Sequence, residues 1–277
     1  MNNISIFDDI PGRHKRDDKK GKEPVEDIGE VFKEPIRHKT YAKLLHHTPI
    51  WILPHAIRKC TSTVEKRDTS DDAKDFGPKD KRMIAKRCLK LGRPFDPLDP
   101  PHESVLEHIS YTFEMFFSRT VLQELSRTRI GISLSIESTR AALKKLLEGL
   151  GPEDLDKIKM LIHNTGDDEI DTEAARQISN VAGYKEREVK NDVAKYGLPE
   201  CFMTTGVVTM NIRSLRHLFA LRTSPRALEE YQQLCFSMAA CIPETHRFLF
   251  QDRIHFGAAP QAFLDVWPDP KVDWFDE

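Results

Sequence analysis

Three short segments carry side chains whose types and spacing suit an anionic ligand. The first, RTRIGISLSIESTR (residues 127–140), holds the arginines Arg127, Arg129 and Arg140 and the hydroxyls of Thr128, Ser133, Ser135, Ser138 and Thr139 around one glycine. Guanidinium forks and hydroxyls are the donors that phosphate oxygens accept from, and backbone N–H groups supply the rest. As a single turn-prone stretch, the segment would gather these donors on one phosphate. A solvated arginine cluster paired with Glu124 and Glu137 is the alternative. In the second segment, NIRSLRHLFALR (residues 211–222), helical spacing puts Leu215, Leu218 and Phe219 on an apolar face and Arg213 with His217 on another. A lone histidine at such a position is more often a surface residue than a catalyst, so the company of Asn211 and Arg213 is what marks this face. The third, HESVLEH (residues 102–108), separates its histidines by six positions, whereas a zinc-binding helix needs them four apart. On a strand His102, Ser104, Leu106 and His108 would share one face and Glu107 the other, which disfavours a metal centre.

Positioning these groups requires a scaffold of strand and helix ends. From Lys43 onward, Leu44, Leu45, Ile50, Trp51, Ile52 and Leu53 read as a strand or buried turn that leads into a short helix. Residues 82–91 read as an amphipathic helix ending near Gly92, before a proline-rich loop at 94–101. Aromatic and β-branched residues make 107–117 a strand, and Ser118 is placed to cap a helix running to about Ser126. Residues 141–150, 153–163 and 173–195 form a helical middle with acidic loops. The β-branched run 204–210 is a strand bounded by Asn211 as the next N-cap, and a last helix spans about 225–241. The fold class is therefore α+β, divided into a charged arm at 1–40, a folded domain at 41–250 and an extension at 251–277.

Composition narrows the function further. The 277 residues carry 42 basic against 44 acidic side chains, a net charge of -2, so no global field draws the chain to nucleic acid or anionic lipid. Any anion must be held by local arginines. The five cysteines are widely spaced and lack metal-site spacing, which points to reduced thiols. No apolar run reaches the roughly 20 residues that span a bilayer, and the first residues lack a secretory pattern, so a cytoplasmic location is expected.

Taken together, three segments resemble one family. HESVLEHISYTF is similar to its H-x-S-x-x-E-H-x-x-F-T-F stretch. FSRTVLQELSRTR followed by SIESTR is similar to its R-H-R…S-x-R signature, and LPECFMTTGVVTMNIRSLRHLFALR to its L-P…T-x-N-x-R…H-F-x-x-L-R block. The family is flavin-dependent thymidylate synthase (ThyX), and the resemblance covers roughly residues 43–250. It implies a mainly antiparallel sheet packed by helices and a homotetramer whose sites combine side chains from several subunits. Those sites would hold FAD, dUMP and methylene-tetrahydrofolate, with NADPH reducing the flavin. By similarity Arg127, Ser138, Arg140 and Arg222 bear on dUMP, with Glu124 and Lys195 near it, and Arg222 and Ser138 serve catalysis. His102, Ser104, Arg127, Thr128, Arg129, Asn211, Arg213 and His217 bear on FAD.

The chain departs from the family pattern inside these motifs. Thr128 stands where the family has His, so a group able to carry a proton near neutral pH is replaced by a short neutral hydroxyl. Lys195 replaces an Arg, keeping charge but losing the planar fork. The 129–138 spacing is one residue longer than the common form, and Ala141 replaces an aromatic. A changed product such as a hydroxymethylated nucleotide, another C5 methylation, or a non-catalytic nucleotide-binding homologue are the alternatives these departures leave open. A thymidylate synthase of the cysteine-nucleophile type needs an activated thiol beside basic groups, and none of the five cysteines has that setting.

Overall fold

A computed structural model describes residues 40–60, 76–91, 96–151 and 153–269, all within one unit spanning Glu34–Glu277. The expected charged arm, residues 64–75 of a charged run expected at 64–82, the helix end at Gly92 and the last residues of the tail lie outside the described residues. In chain order the elements are β1 (Tyr41–His47), α1 (Ile52–Cys60), α2 (Pro78–Ile84), β2 (Ser110–Ser118), α3 (Arg119–Leu125), β3 (Ile132–Ile136) and α4 (Thr139–Leu146). There follow α5 (Leu155–Lys159), α6 (Asp168–Glu186), α7 (Asn191–Ala194), β4 (Met203–Asn211), α8 (Ile212–Arg222), α9 (Glu229–Ala240) and α10 (Gln261–Val266).

The strands form one antiparallel sheet in the order β1-β2-β4-β3. Period-two alternation sets its faces. Tyr111, Phe113, Met115 and Phe117 of β2 and Val208 and Met210 of β4 are buried, whereas Thr112, Glu114 and Phe116 point the other way and are half-exposed. Helix α9 packs on the buried side of β1 and β2, and α8 on β4. Across the opposite face Tyr41 stacks on Phe116 with centroids 4.8 Å apart, and Val207 is exposed.

Both expected N-caps are present. The Ser118 hydroxyl accepts from Val121 N, and the Asn211 side chain accepts from Ser214 N at 2.9 Å, so each central strand runs directly into a capped helix. Buried Glu230 ties these parts together by accepting from Ser118 N and Thr40 Oγ1, both at 2.7 Å, and from Ser118 Oγ at 2.5 Å.

The helical middle has its own core, formed by Leu143, Leu147, Ile158, Ile178, Val181 and Phe202 among others. Its helices are shorter than expected. The segment 153–163 is helical only over Leu155–Lys159, and the run 173–195 breaks near Glu188, where φ is +57°. A third difference concerns residues 102–108, which form a 3-10 helix (Glu103–His108) and not a strand. Local i to i+3 bonding takes up Glu103, Glu107 and His108 before β2 begins, and His102 precedes the turn. The stretch expected as an extension also packs inward, with Ile254, Phe263 and Trp267 buried and Arg247 lying 5.3 Å above the Trp267 ring.

Beneath the sheet, Tyr111 Oη and His246 Nδ1 are 2.7 Å apart, and His47 meets the His246 ring edge-on at 4.9 Å. Burial, then the neighbouring His47, pushes the His246 pKa down to about 3. The unfolded chain, with a histidine pKa of about 6.5, takes up this proton first. His246 therefore lends full stability above about pH 6.5 and loses it as pH falls toward 3. Between pH 6.5 and 5 the wild-type chain should lose about 2 kcal/mol from this group, and His246→Gln should flatten that slope. Thermal melts across this range check it, and equal slopes in both proteins would contradict it.

Candidate active site

The candidate residues fall into three groups. At the start of α8, Asn211 N donates to the Gly131 carbonyl at 3.0 Å and Ser214 Oγ to the Ile130 carbonyl at 2.6 Å, so the 129–131 turn is stitched to the helix. Gly131 has φ of +67°, and a Cβ there would run into Asn211 and Ser214, so the close approach needs glycine. Arg129 is thereby held next to the capped end of α8. The 3-10 helix Glu103–His108 packs against α8. Glu107 binds Arg213 Nη1 at 2.7 Å and Glu103 lies 3.6 Å from Arg213 Nε, so these carboxylates act as counterions to the arginine. His102, Ser104 and His217 are exposed around this group.

A second group lies at the other end of α8, about 15 Å away by helical rise. Arg222 Nη2 pairs with Glu124 Oε2 at 2.6 Å, and Arg127 Nη1 lies 3.9 Å from Glu124 Oε1. The Arg222 guanidinium also rests 4.9 Å above the ring of Tyr231, with Thr128 close to the Tyr231 hydroxyl. The pairing of Glu124 with Arg127 matches the solvated-cluster alternative, but Glu124 is equally the partner of the half-buried Arg222.

The third group is Ser138, Arg140 and Lys195. Arg140 Nε binds Asp192 at 2.5 Å, and its carbonyl accepts from Asn191 Nδ2 at 2.7 Å, which fixes the start of α4 against α7. Lys195 follows α7 directly and lies 5.5 Å from the ring centre of the exposed Tyr196.

What separates the third group from the others is β3. The segment 127–140 is not one turn-prone stretch: Ile132, Ser133, Leu134, Ser135 and Ile136 pair with β4, from Ile132 opposite Met210 to Ile136 opposite Gly206. At about 3.4 Å per residue, the strand and its flanking turns hold Arg129 and Ser138 well over 15 Å apart. In one chain the three arginines cannot converge on a single phosphate. The period-two pattern of ISLSI was the available signal for this strand.

Two residues not among the expected site residues also shape the region. Arg216 is 3% exposed and makes a bidentate bond to Asp252 at 2.7 and 2.8 Å, with a further contact to the Leu249 carbonyl. It shares the core-facing side of α8 with Ile212, Leu215 and Phe219, a spacing visible in the sequence. Tyr231 had no such signal. Burial pushes the Cys88 thiol up to about 12 and Cys241 to about 11, and raises Cys201 and Cys235 as well, so these four are poor nucleophiles near neutral pH.

An antiparallel sheet with helices on it and basic donor groups at its ends defines an α+β protein with groups suited to anions. Residues 43–246 match the family model described as "Thymidylate synthase complementing protein". The flavin-dependent thymidylate synthase of Campylobacter jejuni is 34% identical over 217 residues, covering 76% of this chain and 96% of its own. That of Helicobacter pylori J99 is 36% identical over 214 residues, covering 75% and 95%. A crystal structure of Helicobacter pylori ThyX with FAD and dUMP superposes with a TM-score of 0.65 at 32% identity, covering 78% of this chain and 99% of that one. The chain belongs to the flavin-dependent thymidylate synthase family.

Proposed function

We propose that the chain catalyses the reductive methylation of dUMP to dTMP, with FAD as its flavin, methylene-tetrahydrofolate as carbon donor and NADPH as the source of reducing equivalents. The observation that carries this is that the family's motif residues lie at the two ends of α8, whose start is capped by Asn211, and at the start of α4, where Arg140 is tied to α7. Flavin supplies the hydride chemistry when bound, and the protein contributes orientation and electrostatics. The group of Arg129, Asn211, Arg213 and His217, faced by His102 and Ser104, suits a cofactor that carries phosphates and ring oxygens: it offers several donors beside a helix start. Arg222, Arg127, Ser138, Arg140 and Lys195 are assigned to the nucleotide, with Glu124 holding Arg222 in orientation and Arg222 and Ser138 acting at the reacting base. Electrostatic stabilisation by such fixed donors is the usual large contribution to catalysis.

The distance imposed by β3 favours a site completed by other copies of the chain. We assign the half-exposed sheet face around Tyr41, Phe116 and Val207 to contacts within that assembly, a homotetramer. The unpaired thiols are consistent with a cytoplasmic location. Residues 41–250 are assigned as the catalytic domain.

Purified protein is expected to be yellow and, with dUMP, methylene-tetrahydrofolate, FAD and NADPH, to yield dTMP by mass spectrometry. A colourless protein that takes up no added FAD, or a hydroxymethyl product, would overturn the assignment.

A further inference from the structure

Tyr231 is 0% exposed, yet its hydroxyl has no hydrogen-bond partner of good geometry among the described residues. Thr128 is near the hydroxyl but makes no hydrogen bond to it of good geometry. Such groups are rare because an unpaired buried hydroxyl destabilises the fold, and a phenylalanine would fill the same volume without that cost. The position is not loosely built. The preceding residue, Glu230, is anchored by three hydrogen bonds to Ser118 and Thr40, which fixes the first turn of α9 and the ring that follows. That ring lies beneath Arg222, whose Nη2 is bound by Glu124.

We infer that the Tyr231 hydroxyl is a nucleotide-binding group, donating to dUMP when Arg222 exchanges its contact with Glu124 for the ligand. The inference rests on the proposed function and extends it to a residue outside the family motifs. It also gives a purpose to the neighbouring Thr128. The short Thr128 hydroxyl lies near the phenol, so a neutral donor stands next to the position where the family has an imidazole. Burial keeps the phenol protonated across the physiological range, as a donor must be.

The test is Tyr231→Phe in the FAD-loaded protein. Loss of one ligand hydrogen bond should weaken dUMP binding about five- to tenfold by calorimetric titration and leave FAD affinity unchanged. Because the hydroxyl has no good partner in the fold, the melting temperature should stay level or rise. Unchanged dUMP affinity would overturn the inference. So would a fall of several degrees in melting temperature, which would show the hydroxyl to be structural. If wild-type protein binds no dUMP, the proposed function itself fails, and the inference falls with it. The ligand-free melt then separates the two failures, since a level or raised temperature still identifies the hydroxyl as unpaired.

Discussion

Arg222→Ala should lower tritium release from carbon-5-labelled dUMP by about 100- to 1000-fold, the loss expected when a fixed donor is removed from a charge-stabilising site. The residue is placed for that role by three contacts of different kinds. Helix α8 ends on it, Glu124 holds one edge of the guanidinium at 2.6 Å, and the Tyr231 ring supports its face. Since the pair with Glu124 is partly solvated, its loss should shift the melting temperature by only a few degrees. Arg222→Lys keeps the charge but gives up the planar fork and the stacking, so its activity should fall between the two. Arg140→Ala should produce a similar loss from the other end of β3. Activity within threefold of wild type in both alanine variants would refute the site assignment.

The second large effect concerns folding. Arg216→Met should destabilise the chain by about 3 kcal/mol, because it removes a bidentate charged contact made from a buried guanidinium and leaves the buried Leu249 carbonyl without its donor, while the more exposed Asp252 keeps Arg253 as a partner. For a unit of this size that is a drop of roughly 6–12 °C in melting temperature. Arg216 and Asp252 share one bidentate contact, so Arg216→Met with Asp252→Asn should cost much less than the sum of the single changes. Denaturant titration of the four proteins measures this coupling. A loss under about 1 kcal/mol for Arg216→Met, or full additivity in the double variant, would show that the bidentate contact is not what ties α8 to the segment after Phe250.

Arg216 also shows how far the sequence can be read. Its position on α8 is core-facing by helical spacing, but an arginine between Arg213 and Arg222 looks like part of a basic face unless the partner is known. Asp252 lies 36 residues away, and nothing local announces it. Ser118 and Asn211 were legible as caps because a cap is a local event, decided by a side chain and an N–H three residues later. β2 and β4 were legible by alternation and residue type. β3 has the same alternation, but its five residues lie among arginines and serines whose chemistry suggests a phosphate-gripping turn, and only its pairing with β4 settles the matter. The break at Glu188 went unseen because the helical pattern on both sides is continuous in composition. The three-way division of the candidate residues follows from β3 and from the length of α8, so it needed the pairing and the helix bounds together.

The register of β3 has a consequence for how this chain and its relatives can differ in length. Ser133 and Ser135 share the open face with Thr209 and Val207, while Ile132, Leu134 and Ile136 turn toward the other side. Inserting one residue within the strand would exchange these two sets and carry hydroxyls into the core. The additional residue between Arg129 and Ser138 must therefore be accommodated in the flanking turns, at 130–131 or 137–138. The strand between them acts as a spacer of fixed phase, so gains and losses in this signature are tolerated at its ends and penalised within it.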